Sequence, residues 1–320
     1  MCAPLVRLTW DWRMARVIDA DGCVVDDSVW TGVRGVGAVV DRLEQLGQGR
    51  MTAEARALEA RFSEAIQCPT TDVEWPALDA DEQVLFEAAA RLVASRGVAR
   101  AAAEPDRRLE HLVHALEEMR ATHNTLESRL VEWAGMFQPE LDLDENRSKM
   151  AGMVLASDAA FEEVGVEEWK ALVSTAEGVE ALAAPLQQME TAVRELATEH
   201  LPSLSALLGP VLAAKLCVTA HGRARLARLP ASTIQVLGAE NAFFSHLRHG
   251  TSPPKHGHIF QHPWIGRSPK WTRGSISRMV AAKAAIAVRL DHFGGAPWTT
   301  KEVAAVEAKV GEIRARKARR

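Results

Sequence analysis

The sequence predicts a mainly α-helical chain with three parts. These are a small N-terminal α/β domain, a central antiparallel coiled-coil hairpin and a C-terminal all-helical block. Three observations carry this expectation. Two β-prone runs flank the turn pair Asp21-Gly22 near the start. Two long stretches with apolar residues at alternating steps of three and four are separated by a break. Finally, residues 201–300 hold 12 lysines and arginines but only two acids, Glu240 and Asp291, although the whole chain is at −4.

The first domain is expected over residues 1–104. Ala15 to Ile18 and Cys23 to Val25 make a hairpin around Asp21-Gly22, a pair that tolerates positive φ. Helical patterns follow around 35–46, 52–66 and 81–96; the last places Val84, Leu85, Ala88, Leu92 and Val93 at helical spacing. This region has 11 basic and 17 acidic residues, and nothing in it resembles a catalytic constellation.

Residues 105–200 read as the hairpin. Leu109, Leu112, Leu116, Met119, His123, Leu126, Leu130 and Trp133 form a heptad seam, with His123 as a polar, register-setting interruption. The segment 134–165 carries Gly135, Pro139, Asp142, Asp144 and Asn146 and is expected to turn the chain. The seam resumes at Trp169, Leu172, Ala176 and Val179. It shifts phase near Pro185 and continues as Leu182, Leu186, Met189, Val193 and Leu196, in an arm that looks short. With 8 basic and 20 acidic residues, these arms should repel nucleic acid, which suits a spacer or dimerisation element.

From Leu201 the character changes. Leu204, Leu207, Leu208, Val211, Leu212 and Leu216 give an apolar helical face, kinked or restarted at Gly209-Pro210. Leu229 to Thr233 starts a short helix, and Gly238 separates it from the next, Ala239 to Leu247. A loop rich in Gly, Pro and His is expected over 249–274, then a helix from about Ser275 to Asp291. On that helix Arg278 and Arg289 are eleven residues apart and project from nearly one face. The block is expected to end at 298. The remaining residues, 299–320, are read as a basic tail, a charged helix that frays.

The basic block points to a polyanion, because lysine and arginine displace counterions from phosphates. His246, His249, His256, His258 and His262 invite comparison with a metal site and a metal-dependent hydrolase. However, no acid or cysteine lies between Asn241 and Leu290 to balance an ion's charge. The favoured reading is loop histidines, His256 among them, that stack on bases or donate to phosphates. Glu240 suits the start of a helix, where the dipole favours an anion. Trp264 and Trp271 flank Lys270; they either stack on RNA or anchor the loop. Phe243, Phe244 and Phe260 are expected in the core. No GxGxxG, P-loop or HExxH motif occurs, so no catalytic residue, metal or cofactor is expected. No window reaches the ~18 consecutive apolar residues of a membrane span. The first residues, Met-Cys-Ala-Pro-Leu-Val-Arg, lack a signal peptide's apolar core, and the four cysteines are scattered. A reducing, cytoplasmic setting is therefore expected.

Several blocks then occur in a telling order: Leu-Ser-Ala-Leu-Leu-Gly (204–209), Pro-Ala-Ser-Thr-Ile-Gln-Val-Leu-Gly-Ala-Glu (230–240), Pro-Lys-His-Gly-His-Ile (254–259), Ile-Gly-Arg-Ser-Pro (265–269) and Gly-Ser-Ile-Ser-Arg-Met-Val-Ala-Ala-Lys (274–283). Together they resemble the Nop domain, most closely in its archaeal form, the fibrillarin-partner subunit of box C/D ribonucleoproteins. Arg-Leu-Val-Glu-Trp-Ala-Gly-Met-Phe-Gln-Pro-Glu-Leu (129–141) resembles the end of that family's first long helix.

The resemblance implies a non-catalytic scaffold. Its N-terminal domain holds a fibrillarin-type RNA methyltransferase, and its coiled coil makes a homodimer. Its Nop domain grips kink-turn box C/D guide RNA already bound by a ribosomal-type protein. The particle methylates ribose 2′-hydroxyls of rRNA or tRNA. A splicing factor carrying the same domain is the alternative.

By position in the matched blocks, Thr233, Gln235, Lys255, Arg278 and Lys283 are expected to face RNA, and the turn Gly238-Ala239-Glu240 to approach it. Asn241, Arg248, His256, Lys270, Arg273 and Arg289 complete the expected RNA-binding set. There are departures from the family pattern. Its usual lysine after Gly-Ala-Glu is here Asn241. Its Ala-Leu-Phe-Arg is here Ala242-Phe243-Phe244-Ser245, with Arg248 placed to compensate.

Overall fold

A computed structural model of the chain describes residues 6–68, 74–137, 142–157 and 164–318. The chain divides into two units, residues 1–102 and 103–320.

In the first unit, β1 (Arg7–Trp10), β2 (Met14–Ile18) and β3 (Val24–Val29) are followed by α1 (Val36–Gly47), α2 (Ala53–Arg61), β4 (Ile66–Gln67) and α3 (Ala80–Ala103). The sheet order is β3-β2-β1-β4. β2 and β3 form the expected hairpin, with Gly22 at φ 85° in its turn. Leu8 opposes Val17 and Trp10 opposes Ala15, so period-two alternation puts all four on one face. There they pack with Ala55 and Leu58 of α2. Trp12 packs with Val39, Val40 and Ala89 in a second cluster.

One expectation fails here. The helix placed over 52–66 ends at Arg61, and Ile66–Gln67 instead adds a strand parallel to β1. The reason is tertiary. The Ile66 and Cys68 N–H groups donate to the carbonyls of Val6 and Leu8, both at 2.9 Å, and strand pairing overrides local helical periodicity.

The second unit begins with α4 (Pro105–Gly135). Two short helices, α5 (Leu143–Asn146) and α6 (Met150–Leu155), follow it, and α7 (Val166–His200) returns. α4 and α7 pack as the expected antiparallel hairpin. At its far end Leu130, Val131 and Ala134 meet Leu172, Ala176 and Val179, capped by Met150, Ala151 and Val154 of α6. The second arm is not short: α7 has 35 residues against 31 in α4, and it runs through Pro185 without a break. Between the two ends, Met119, His123, Leu126, Leu182, Leu186 and Met189 are only half-buried. Residues 138–141 of the 129–141 block lie outside the described residues.

The near end of the hairpin does not stand apart. Leu109, Val113, Leu116, Val193, Leu196 and Ala197 belong to the same core as the block that follows. That block contains α8 (Pro202–Leu208), α9 (Pro210–Thr219), α10 (Arg223–Arg228), α11 (Ala231–Val236), α12 (Glu240–His249), α13 (Pro263–Gly266), α14 (Lys270–Phe293) and α15 (Thr300–Ala318). Gly209 at φ 82° precedes Pro210, and α8 and α9 are bent by 118°. No single helix among the described residues is long and apolar enough to cross a membrane.

Two boundaries differ from expectation. α14 begins at Lys270, so Lys270, Trp271 and Arg273 are helical rather than in a loop. The basic tail is a packed helix: Val306 and Val310 of α15 are buried in the core, with Ile313 packed against it. Arg319 and Arg320 lie outside the described residues.

Candidate nucleic-acid interface

The turn after α11 and the loop 250–262 form one joint. The Gly257 N–H donates to Gln235 O at 2.9 Å, and the His258 N–H to Leu237 O at 2.8 Å. The Gln235 side-chain amide donates to Lys255 O at 2.7 Å. Two glycines permit this approach. Gly238 sits at φ 83°, and a β-carbon there would lie 2.1 Å from the His258 ring. On Gly257 it would lie 2.0 Å from Leu237 O, so no side chain fits. His256 stacks on Phe260 with centroids 4.4 Å apart, and the Arg273 guanidinium lies 5.2 Å from the same ring. Gln235, Gly238, Ala239, Glu240, Lys255, His256 and Arg273, scattered along 39 residues of sequence, are thereby joined.

The two acids of the basic block are both engaged by backbone N–H groups. Glu240 accepts from Gly238 at 2.8 Å. Asp291 accepts from Ser203 at 2.8 Å and Leu204 at 3.0 Å, capping α8 from a distant helix. Two of the expected RNA-facing cations are likewise held. Arg273 donates to Ser268 O at 2.7 Å and Gly266 O at 3.1 Å. Arg289 donates to Ala227 O at 3.1 Å and Leu229 O at 3.5 Å, on the α10–α11 connection. Arg248, Lys255, Lys270 and Arg278 are exposed and Lys283 is half-buried; among the described residues none of the five is in an ion pair. Thr233 is half-buried and Asn241 exposed. The cations left free thus lie on α12, the loop and α14, and among the described residues none of them is paired with a carboxylate.

The five histidines do not converge. His246 bonds Thr251 O through Nδ1, and His258 covers Gly238. His262 accepts from the Trp264 N–H at 3.2 Å, capping α13, and sits edge-on to the Trp264 ring. Burial holds His256 and His258 below the usual histidine range and pushes His262 down to about 4. At neutral pH these three rings add no charge to the face.

The expectation of a core position fails for Phe243 and Phe244, which are 43% and 54% exposed; Leu247 beside them is 64% exposed. None of the residues of α12 is buried. Its sequence separates an apolar face (243, 244, 247) from a polar one, but the pattern does not say what covers the apolar side. Trp271 is 67% exposed at the start of α14, whereas Trp264 packs against the core. Arg314 of α15 went unnoticed in the sequence: it donates to Ser268 Oγ at 3.0 Å and Trp264 O at 3.2 Å, bracing the 264–269 segment.

A family model described as "Nop: snoRNA binding domain, fibrillarin" matches residues 110–312. An uncharacterized NOP5 family protein of Methanocaldococcus jannaschii is 36% identical over 60% of this chain and 54% of its own length. Mouse nucleolar protein 56 is 38% identical over 48% of this chain and 25% of its own. The chain therefore spans about half the length of the first relative and a quarter of the second. A solved structure, "crystal structure of fibrillarin/Nop5p complex", covers 83% of this chain and 94% of its own at 25% identity and a TM-score of 0.45. The matched model covers the hairpin, the glycine joint and the cationic helices together, and the chain belongs to the Nop family.

Proposed function

We propose that this chain is a non-catalytic scaffold of a box C/D guide-RNA ribonucleoprotein that directs ribose 2′-O-methylation of rRNA or tRNA. The observation that carries the reading is the set of cations on α12, the 250–262 loop and α14 that make no ion pair among the described residues, beside the exposed apolar side of α12. Phosphates fit the cations. Phe243, Phe244 and Leu247 fit a protein surface, such as a ribosomal-type protein already seated on a kink-turn. Gly238, Ala239, Glu240 and Asn241 bring the backbone close to RNA, flanked by Thr233, Gln235, Lys255 and His256. Arg248, Lys270, Arg278 and Lys283 neutralise phosphates. Arg273 and Arg289 brace the face through backbone carbonyls.

The acidic arms keep RNA off themselves, and their half-buried middle suits a second copy of the chain. The N-terminal unit recruits a fibrillarin-type methyltransferase. Catalysis is the enzyme's, and this chain contributes proximity by fixing enzyme and guide duplex in one particle.

Co-purification with a fibrillarin-type methyltransferase, followed by sequencing of bound RNA, tests the assignment. Box C/D guides should be recovered. Arg278→Ala should lower affinity for a kink-turn RNA–protein complex and flatten its salt dependence, with the melting temperature unchanged. Recovery of no RNA, or salt-independent binding by the unmodified chain, refutes the reading.

A further inference from the structure

The root of the acidic arm is built around one carboxylate. Asp106 lies in the first turn of α4. It accepts from Nε2 of His200, the last residue of α7, at 2.6 Å. It also accepts from the backbone N–H of Arg223, the first residue of α10, at 3.1 and 3.2 Å. The thiol of Cys217 on α9 approaches at 3.4 Å. The Arg223 guanidinium closes the ring by donating to His200 O at 2.9 Å. The His200 hydrogen bond chiefly holds the Asp106 carboxyl down at about 2, so it stays ionised.

Asp106, His200 and Cys217 are also spaced as metal ligands might be, all within 4.8 Å. However, the 2.6 Å oxygen–nitrogen separation is a hydrogen bond, shorter than the ~3.3 Å between two ligands of a tetrahedral zinc. The group is a hydrogen-bonded knot.

Its location gives it leverage. Among the described residues the outer hairpin cluster joins the arm only to itself, so the arm's direction is set at its base. There the shared apolar core is non-directional, whereas hydrogen bonds fix angles. From Asp106 to Gly135 the helix extends ~45 Å at ~1.5 Å per residue, so a 10° error at the root displaces the far end by ~8 Å.

We propose that Asp106 is a positioning residue of this scaffold, tying both arms to α9 and α10 and thereby setting the angle at which the acidic hairpin leaves the RNA-binding block. The proposal rests on the function given above only for its consequence in methylation; the angle is measurable by itself.

The test uses the full chain with spin labels on Ser148→Cys, near the far end of the arm, and Thr300→Cys, in the block. Cys2→Ser, Cys23→Ser and Cys68→Ser remove the other sites, leaving buried Cys217. The labelled chain is diluted into unlabelled protein so that only intramolecular distances are read. Asp106→Ala should broaden a narrow distance distribution by several ångströms. In reconstituted particles it should lower methylation turnover at least tenfold while kink-turn RNA affinity stays within twofold. Asp106→Asn, which keeps one acceptor, should fall between, and His200→Gln keeps the test available if the alanine variant does not fold. A distribution as narrow as that of the unsubstituted chain overturns the proposal, as does a parallel loss of affinity and turnover. If the unsubstituted particle does not methylate, the scaffold reading fails, and the distances still decide whether Asp106 sets the angle.

Discussion

Replacing Gly257 with alanine isolates the joint between α11 and the loop. The added carbon would lie 2.0 Å from Leu237 O and 2.7 Å from two backbone carbons, those of Val236 and Leu237. A relaxed carbon–oxygen contact needs roughly 3.2 Å, so the overlap exceeds ~1 Å between two main chains. Neither can rotate away as a side chain would. The loop must therefore lift, breaking the bonds from Gly257 to Gln235, His258 to Leu237 and Gln235 to Lys255. At about 1 kcal/mol net each, their loss removes about 3 kcal/mol, enough to shift the closed population by about 100-fold. Because only the closed loop holds Lys255 at Gln235 and His258 at Gly238, apparent affinity for the kink-turn complex should fall by up to about 100-fold. Filter binding at fixed salt measures this. Hydrogen exchange across 235–238 and 255–260 should show the same amides losing protection. Unchanged affinity together with unchanged protection would refute the reasoning.

Other outcomes follow from burial and charge. Leu116→Asp places a carboxylate where Leu116 is 2% exposed in the core shared by hairpin and block, so all of residues 103–318 should melt lower, by at least about 3 kcal/mol; loss of self-association at unchanged stability would contradict the shared core. Ser277→Ala removes a buried hydroxyl with no hydrogen-bond partner among the described residues, and denaturant titration should show stabilisation of about 1 kcal/mol, whereas destabilisation would reveal a hidden partner. His262 is protonated near 6.5 when unfolded but only near 4 in the fold, so its contribution is complete above about pH 6.5 and lost as pH falls towards 4. At about 1.4 kcal/mol per pH unit that loss is at most about 3 kcal/mol, and His262→Asn, which keeps a capping acceptor, should flatten the pH-dependence of stability in that window; an unaltered slope would count against it.

Much of the architecture was legible because it is written in local periods. Steps of three and four residues placed Leu109, Leu116, Val193 and Leu196 on facing sides of two helices, and a β-prone run before the Asp21-Gly22 turn placed Val17 and Ile18 in a strand. Where a distant partner decided the outcome, the period misled. The backbone of residues 66–68 pairs with β1, which local spacing around α2 does not announce. Pro185, a strong local signal, does not end α7, because a helix that packs along its length on α4 can lose one backbone bond.

The interface divides the same way. The glycines, prolines and cations of 230–283 were visible as motifs, because backbone approach and phosphate neutralisation each demand particular residue types. Charge counting separated an acidic arm from a basic block before any fold was known. What composition does not encode is which cations remain free. Arg273 and Arg289 turn to carbonyls, while Arg278 and Lys270 do not. Phe243 and Phe244 were placed inside because phenylalanine usually is, and only the packing shows that no residue of α12 is buried among the described residues.

The chain's residue order by itself determined periodicity, charge segregation and the motif blocks, since each depends on neighbours within a few turns. The tertiary structure alone decided the pairing of Asp106 with Arg223, the burial of Val306 and Val310, the fusion of the hairpin's base with the RNA-binding core and the exposure of α12. Those outcomes depend on which surfaces meet in the folded chain, and a side chain's burial or hydrogen bond is a property of the surface that covers it.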